Sequence, residues 1–203
     1  FPLWGIRFVS IVDNTPMGED VVAKLKRHKV NCDYILSLPS GMGTWLAVFN
    51  TNGDLAGSIS QRPNMMPILD LLEEKGDEIF ADADSIVLEV DLNKEIVKKV
   101  FQLAEKYNKK IYSIVSNMSI AAQRRDFIQK FDCFICNQLE AGILFSDDYS
   151  DKNADELEKI IAEKVVRAQI PAMIVTMGAN GAIYADATGN SGFCPARKVH
   201  VKD

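Results

Sequence analysis

Between Ser85 and Ala185, short and nearly all-apolar runs alternate with stretches of helical period, an order that few folds accept. Ser85 to Asp91 (SIVLEVD), Lys110 to Ser116 (KIYSIVS), Cys133 to Asn137 (CFICN) and Ala172 to Met177 (AMIVTM) read as strands, and Ala182 to Ala185 returns as another. Between them, Asn93 can cap a helix whose Ile96, Val97, Val100, Phe101 and Ala104 form one stripe. A helix over about 120 to 130, a short one over 139 to 145 and a capped one over 154 to 168 follow. The last buries Leu157, Ile160, Ile161 and Val165. Strands this apolar need cover on both faces, so the pattern predicts an α/β fold: a mostly parallel sheet with helices on both faces.

The first third keeps a different rhythm. Arg7 to Val12 reads as a strand, Thr15 to Gly18 as a turn and Glu19 to Arg27 as a helix. Thr44 to Phe49 and Leu55 to Ser60 then flank Asn52-Gly53, a pair suited to a tight hairpin, so residues 44–60 are expected to stand off the sheet as a small antiparallel β lid. No repeat or low-complexity linker divides the chain, and residues 1–203 are read as one domain. Both ends look cut: the first strand begins within seven residues, and Val199 to Asp203 reads as a strand stopping at its loop.

Charge and composition exclude several function classes. The net charge of −5 argues against a general nucleic-acid field, and Asp126 and Asp132 dilute the basic cluster of Arg124, Arg125 and Lys130. No apolar run approaches the roughly 18 residues of a membrane span. Cys133 and Cys136 have CxxC spacing, but in a strand positions i and i+3 point to opposite faces. Core cysteines are therefore expected, and they suit a reducing cytoplasm.

Several chemical signatures are missing. The sequence holds no Walker pattern and no GxSxG elbow, and its two histidines, His28 and His200, make a poor triad or metal site. Gly41 and Gly43 precede a lid strand rather than a helix, which disfavours a dinucleotide fingerprint and with it a nicotinamide-dependent enzyme. Two strand-end features remain. Asn137 and Glu140 stand three apart at a strand-to-helix junction, where they can orient a metal-bound water beside phosphates or simply close a capping box. Thr176, Gly178 and Gly181 follow the 172–177 strand, where the loop can cradle an anion or merely turn the chain. Spacing leaves both pairs of readings open.

In order and separation these pieces resemble the ribokinase-like, or PfkB, family of sugar and nucleoside kinases. Val12 to Gly18 with the following helix and Val30 resembles the family's early VGxDxxG…L…GV segment. Thr44 and Gly53 fall where the family's lid has them, and Ala81 to Val87 resembles its ADIV strand. Asn137 and Glu140 match the NxxE motif, Thr176, Gly178 and Gly181 the TxGxxG nucleotide loop, and Val201 to Asp203 the lead-in to a Gly-Ala-Gly-Asp anion hole. Pseudouridine-kinase-like and other nucleoside-type members look most similar. Asp13-Asn-Thr15 replaces the usual Gly-Asp-Asp, however, and Ser113 stands where many members carry Asp.

The resemblance implies a ribokinase-like fold and ATP-dependent phosphorylation of a hydroxymethyl group on a sugar or nucleoside, pseudouridine among the candidates. Glu140, with Asn137, would arrange Mg2+ and its waters, and Thr176, Gly178 and Gly181 would hold ATP. Thr44, Ser116 and Asn117 would meet the substrate, and the lid would close over it, with a homodimer through the lid as a further expectation. The Gly-Gly sugar-binding segment would precede Phe1, and the catalytic Asp would follow Asp203. A non-catalytic ligand-binding or regulatory relative of the same fold is the alternative, permitted by the departures at Asp13 to Thr15 and Ser113.

Overall fold

The apolar runs pair into sheets, and the stripes fix which face of each sheet is covered. A computed structural model describes residues 5–49, 51, 55–115 and 125–199. The expected turn at Asn52-Gly53, positions 120–124 of the expected helix, positions 200–203 of the strand expected over 199–203, and Ser116 and Asn117 lie outside the described residues. The chain divides into two compact units, Phe1–Asp77 and Glu78–Asp203.

In the first unit, β1 (Arg7–Val12) pairs in parallel with β2 (Asn31–Ser37), and α1 (Pro16–Arg27) crosses between them. The helix begins three residues before the expected Glu19, because Pro16 is pre-set for a first helical turn whose Thr15 carbonyl accepts from the Glu19 N–H at 3.1 Å. Asp13 organises the entry by accepting from the Thr15 hydroxyl at 2.5 Å and the Thr15 N–H at 3.2 Å. The Thr15 hydroxyl holds this carboxyl below its ordinary range. The small antiparallel sheet forms as expected: β3 (Thr44–Phe49) and β4 (Leu55–Gln61) pair antiparallel, with Thr44 opposite Gln61. Helix α2 (Pro67–Ala81) was not anticipated from the sequence, nor was β2.

The second unit carries a six-stranded sheet of order β10-β9-β8-β7-β6-β5. Strands β5 (Ser85–Glu89), β6 (Lys110–Ile114), β7 (Cys133–Asn137) and β8 (Ala172–Thr176) run parallel, and β9 (Ala182–Asp186) and β10 (Ser191–Cys194) fold back antiparallel. Connecting them are α3 (Lys94–Lys106), α4 (Arg125–Ile128), α5 (Gln138–Phe145) and α6 (Ala154–Ala168). Spatial order follows chain order from β5 to β8, so right-handed crossovers lay these helices over a single face.

Burial agrees. Leu88, Ile111, Phe134, Cys136, Met173, Val175 and Ile183 are buried on the helix side, whereas Val87, next to Leu88, is 62% exposed, and Ile114 and Tyr184 are also exposed. The helix-side core includes an aromatic cluster in which Phe101 stacks on Phe127 at 5.6 Å and meets Phe131 at 5.1 Å. Cys133 and Cys136 are both buried and unbridged on opposite faces of β7, as the strand geometry requires. Asn93 does occupy the N-cap of α3, but its side chain makes no capping bond. Among the described residues, no helix is long and apolar enough to cross a membrane.

Gly181 joins β8 to β9 at φ +107°, and a Cβ there would sit 2.2 Å from the Cys194 carbonyl oxygen and 2.9 Å from the Ala196 nitrogen. Gly189, at φ +92°, has open space around the same position. Gly181→Ala is therefore expected to cost at least about 2 kcal/mol in urea unfolding, from backbone strain plus a backbone clash, and Gly189→Ala only about 1 kcal/mol, from strain alone. Equal losses would contradict this account of the turn.

Candidate functional site

Neighbouring parallel strands place their following loops side by side, about 4.8 Å apart. Here Asn137, the last residue of β7, is the register partner of Thr176, the last residue of β8. The two motifs that were separate in sequence thus begin as neighbours on one sheet edge. That edge is the carboxyl end of the parallel strands, where α/β sheets usually bind ligands. Thr176 adds a cross-strand tie by donating its hydroxyl to the Cys136 carbonyl at 3.4 Å.

The Asn137–Glu140 turn is a complete capping box. The Asn137 side-chain oxygen accepts from the Glu140 N–H at 2.8 Å, and the Glu140 carboxylate accepts from the Asn137 N–H at 2.7 Å. The structural reading of this pair therefore holds. It does not exclude the chemical one, since a carboxylate has capacity for more than one partner. The box also fixes where the carboxylate lies. Burial first, and then the Glu140 charge, push the Cys136 thiol well above its ordinary range, so it stays protonated and inert.

After Thr176 the chain makes one 3-10 turn, Gly178–Asn180, with Gly178 at φ +56°. Met177 donates to the Gly181 carbonyl at 2.8 Å, Asn180 to Met177 at 3.1 Å and Gly181 to Gly178 at 3.2 Å. Three of the amides expected to cradle an anion are thus committed inside the loop. A Cβ on Gly178 would meet open space, so the outer surface of the loop is bare backbone that a flat ligand can approach.

Asn137, Glu140, Thr176, Gly178 and Gly181 all belong to the second unit and lie in these two turns. Thr44 opens β3, in the first unit. Ser113 is fully buried on the helix side, where its hydroxyl oxygen accepts from the Ile135 N–H at 3.4 Å. It ties β6 to β7 inside the core. Gln138, which spacing did not single out, bridges from between Asn137 and Glu140 to the backbone carbonyls of Tyr149 and, at 3.2 Å, Lys152. Nothing local in the sequence signals this reach across 11 and 14 residues.

A donor set of one carboxylate beside an amide fits Mg2+, which keeps several waters and shares the phosphates of its ligand. Among the described residues, no three or more His, Cys, Asp or Glu gather into an all-protein metal cage. A separate cleft of about 540 Å3, lined by Lys98, Phe101, Lys109, Phe127 and Lys130, lies by the starts of β6 and β7, at the opposite end of the strands.

Comparison with known proteins gives a consistent answer. The chain is 31% identical over 202 residues to the guanosine-inosine kinase of Exiguobacterium acetylicum, matching 98% of this chain and 65% of that protein. It is 20% identical to the ribokinase of Schizosaccharomyces pombe, covering 98% of this chain and 62% of that one. The Arabidopsis thaliana ribokinase, solved with ribose and ATP, superposes with a TM-score of 0.72 at 13% identity over 95% of this chain and 62% of its own, a likeness of fold. The chain thus spans under two thirds of the length of these relatives. The model of the pfkB family of carbohydrate kinases matches residues 5–203, through both strand-end motifs, and the chain belongs to that family.

Proposed function

We propose that the full-length protein transfers a phosphoryl group from Mg–ATP to the hydroxymethyl group of a nucleoside, with guanosine and inosine the first substrates to test. The observation that carries this reading is the register pairing of Asn137 with Thr176, which seats the NxxE turn and the TxGxxG loop on one edge. The purine preference is taken from the 31% identical guanosine-inosine kinase, in place of the pseudouridine that motif likeness alone suggested.

Bound Mg–ATP would supply the phosphoryl group, and its cation would offset the charge that develops during transfer. The residues of this chain position it. Glu140 and Asn137 would orient the metal's waters, and Thr176, Gly178 and Gly181 would shape the seat of the nucleotide. Thr44, Ser116 and Asn117 remain the proposed substrate contacts. The apolar side chains of the lid support a closing and pairing role. Trp45, Leu46, Val48, Phe49 and Ile59 are all exposed, and Leu46 faces Ile59 across the two strands. A bare two-stranded sheet is marginal in water, so lid-to-lid pairing of two subunits would give it the cover it lacks.

Glutamine closes a capping box as well as glutamate does, so Glu140→Gln separates the two readings of this residue. In the full-length protein, ADP release is expected with guanosine and inosine ahead of adenosine, pseudouridine and ribose. Glu140→Gln should lower kcat/KM for Mg–ATP by about 10- to 100-fold with little change in melting temperature. Wild-type rates in the variant would refute the role of Glu140. No turnover of any substrate, together with no Mg–ATP thermal shift, would favour a non-catalytic relative.

For the lid, analytical ultracentrifugation should show a dimer that Leu46→Glu with Ile59→Glu converts to monomer. A wild-type monomer at micromolar concentration would overturn lid pairing.

A further inference from the structure

The NxxE turn is held by more than its own capping box. Helix α5 has only eight residues, and its outer side is open, with Leu139 67% exposed beside a cleft of about 580 Å3 that also takes in Gly142, Ile143 and Asp147. With Ala141, Gly142 and Leu144 buried and the capping box closed, the roll of so short a helix about its axis is set by what else holds its first turn. Roll would carry the Glu140 carboxylate away from the edge that Asn137 and Thr176 define.

Gln138 supplies the fixed point. Its Nε2 donates to the Tyr149 and Lys152 carbonyls, the second at 3.2 Å. Two carbonyl acceptors fix the orientation of the amide, because only its NH2 end can serve both. The segment it grips is firm. The Tyr149 side chain is 2% exposed. The Tyr149 carbonyl also accepts from the Lys152 N–H at 3.1 Å. Asp147 donates its N–H to the Gly142 carbonyl at 2.9 Å, and a Cβ on Gly142 would stand 2.7 Å from the Asp147 oxygen, so the segment lies tight against α5. One residue after Lys152, Asn153 caps α6 with its own reciprocal box, in bonds of 3.0 and 3.2 Å to Glu156. The first turn of α5 is thereby tied to the first turn of α6.

We infer that Gln138 is a positioning residue for the nucleotide-bound metal, setting the rotation of the NxxE turn through its bridge to the Tyr149 and Lys152 carbonyls. This rests on the kinase reading of Glu140. Outer partners that orient a metal-binding group typically account for 10- to 100-fold in metal affinity. Gln138→Glu keeps the length of the side chain but sets an oxygen against two carbonyls, and Gln138→Ala removes the bridge.

The test is calorimetric titration of the full-length protein and both variants with Mg–ATP, and with ATP in chelator, alongside thermal melts and the free Mg2+ giving half-maximal rate. Each variant is expected to weaken Mg–ATP about tenfold while leaving metal-free ATP within twofold, to raise the Mg2+ requirement by a similar factor, and to leave the nucleoside KM unchanged. A lower melting temperature with unaltered Mg–ATP affinity would overturn the proposal, because the bridge would then be structural only. Glu140→Gln, titrated in parallel, separates the two failures. If Glu140→Gln weakens Mg–ATP and neither Gln138 variant does, the positioning role alone falls. If Glu140→Gln has no effect, or the wild type does not bind Mg–ATP, the kinase reading of the turn falls and the positioning role with it.

Discussion

The pairing of β7 with β8 governs where chemistry can sit in this chain. A parallel ladder sends both strands out of the same edge, and its register decides which residues emerge together. With Phe134 opposite Met173 and Cys136 opposite Val175, Asn137 emerges beside Thr176. A slip of one residue would turn either Phe134 and Cys136 or Met173 and Val175 away from the helix side. The hydrophobic requirement of the helix side therefore also sets the alignment of the two motifs. Ser113 adds to this by bonding β6 to β7 within the same core.

Around that edge the same residues serve structure and proposed chemistry. Asn137 and Glu140 start a helix and present a carboxylate, and Gly181 turns the chain where Cys194 leaves no room for a side chain. On the face away from α3 to α6, Val87, Ile114 and Tyr184 are exposed while Cys133 is buried. The strand sequences are apolar enough for cover on both faces.

Much of this was legible in the sequence. The apolar runs of β1, β3, β5 to β9 and the 154–168 helix announce themselves, because burial dictates their pattern. The NxxE and TxGxxG spacings single out the residues proposed for the site, although only the register shows that they share an edge. What was missed carries local signals that compete with its apolar residues. β2 opens with Asn31, Cys32 and Asp33, and the Asn31 side chain donates to the Asp33 carboxylate at 2.8 Å, a local pairing typical of turns. Helix α2 carries Gly76 in its interior and follows Pro63 closely, both of which read as breakers. β10 is four residues long, contains Gly192 and is an edge strand. The Gln138 bridge joins backbone groups far away in sequence, which no local pattern can reveal.

The central claim is that the carboxyl edge of β7 and β8 is the seat of the nucleotide, and backbone hydrogen exchange of the full-length protein with and without Mg–ATP tests it most directly. The account predicts slowed exchange in both 137–142 and 176–181, with the β9–β10 turn at 186–190 unchanged. Protection of neither segment, or protection confined to the lysine-lined cleft around Lys109 and Lys130 at the opposite edge, would contradict it.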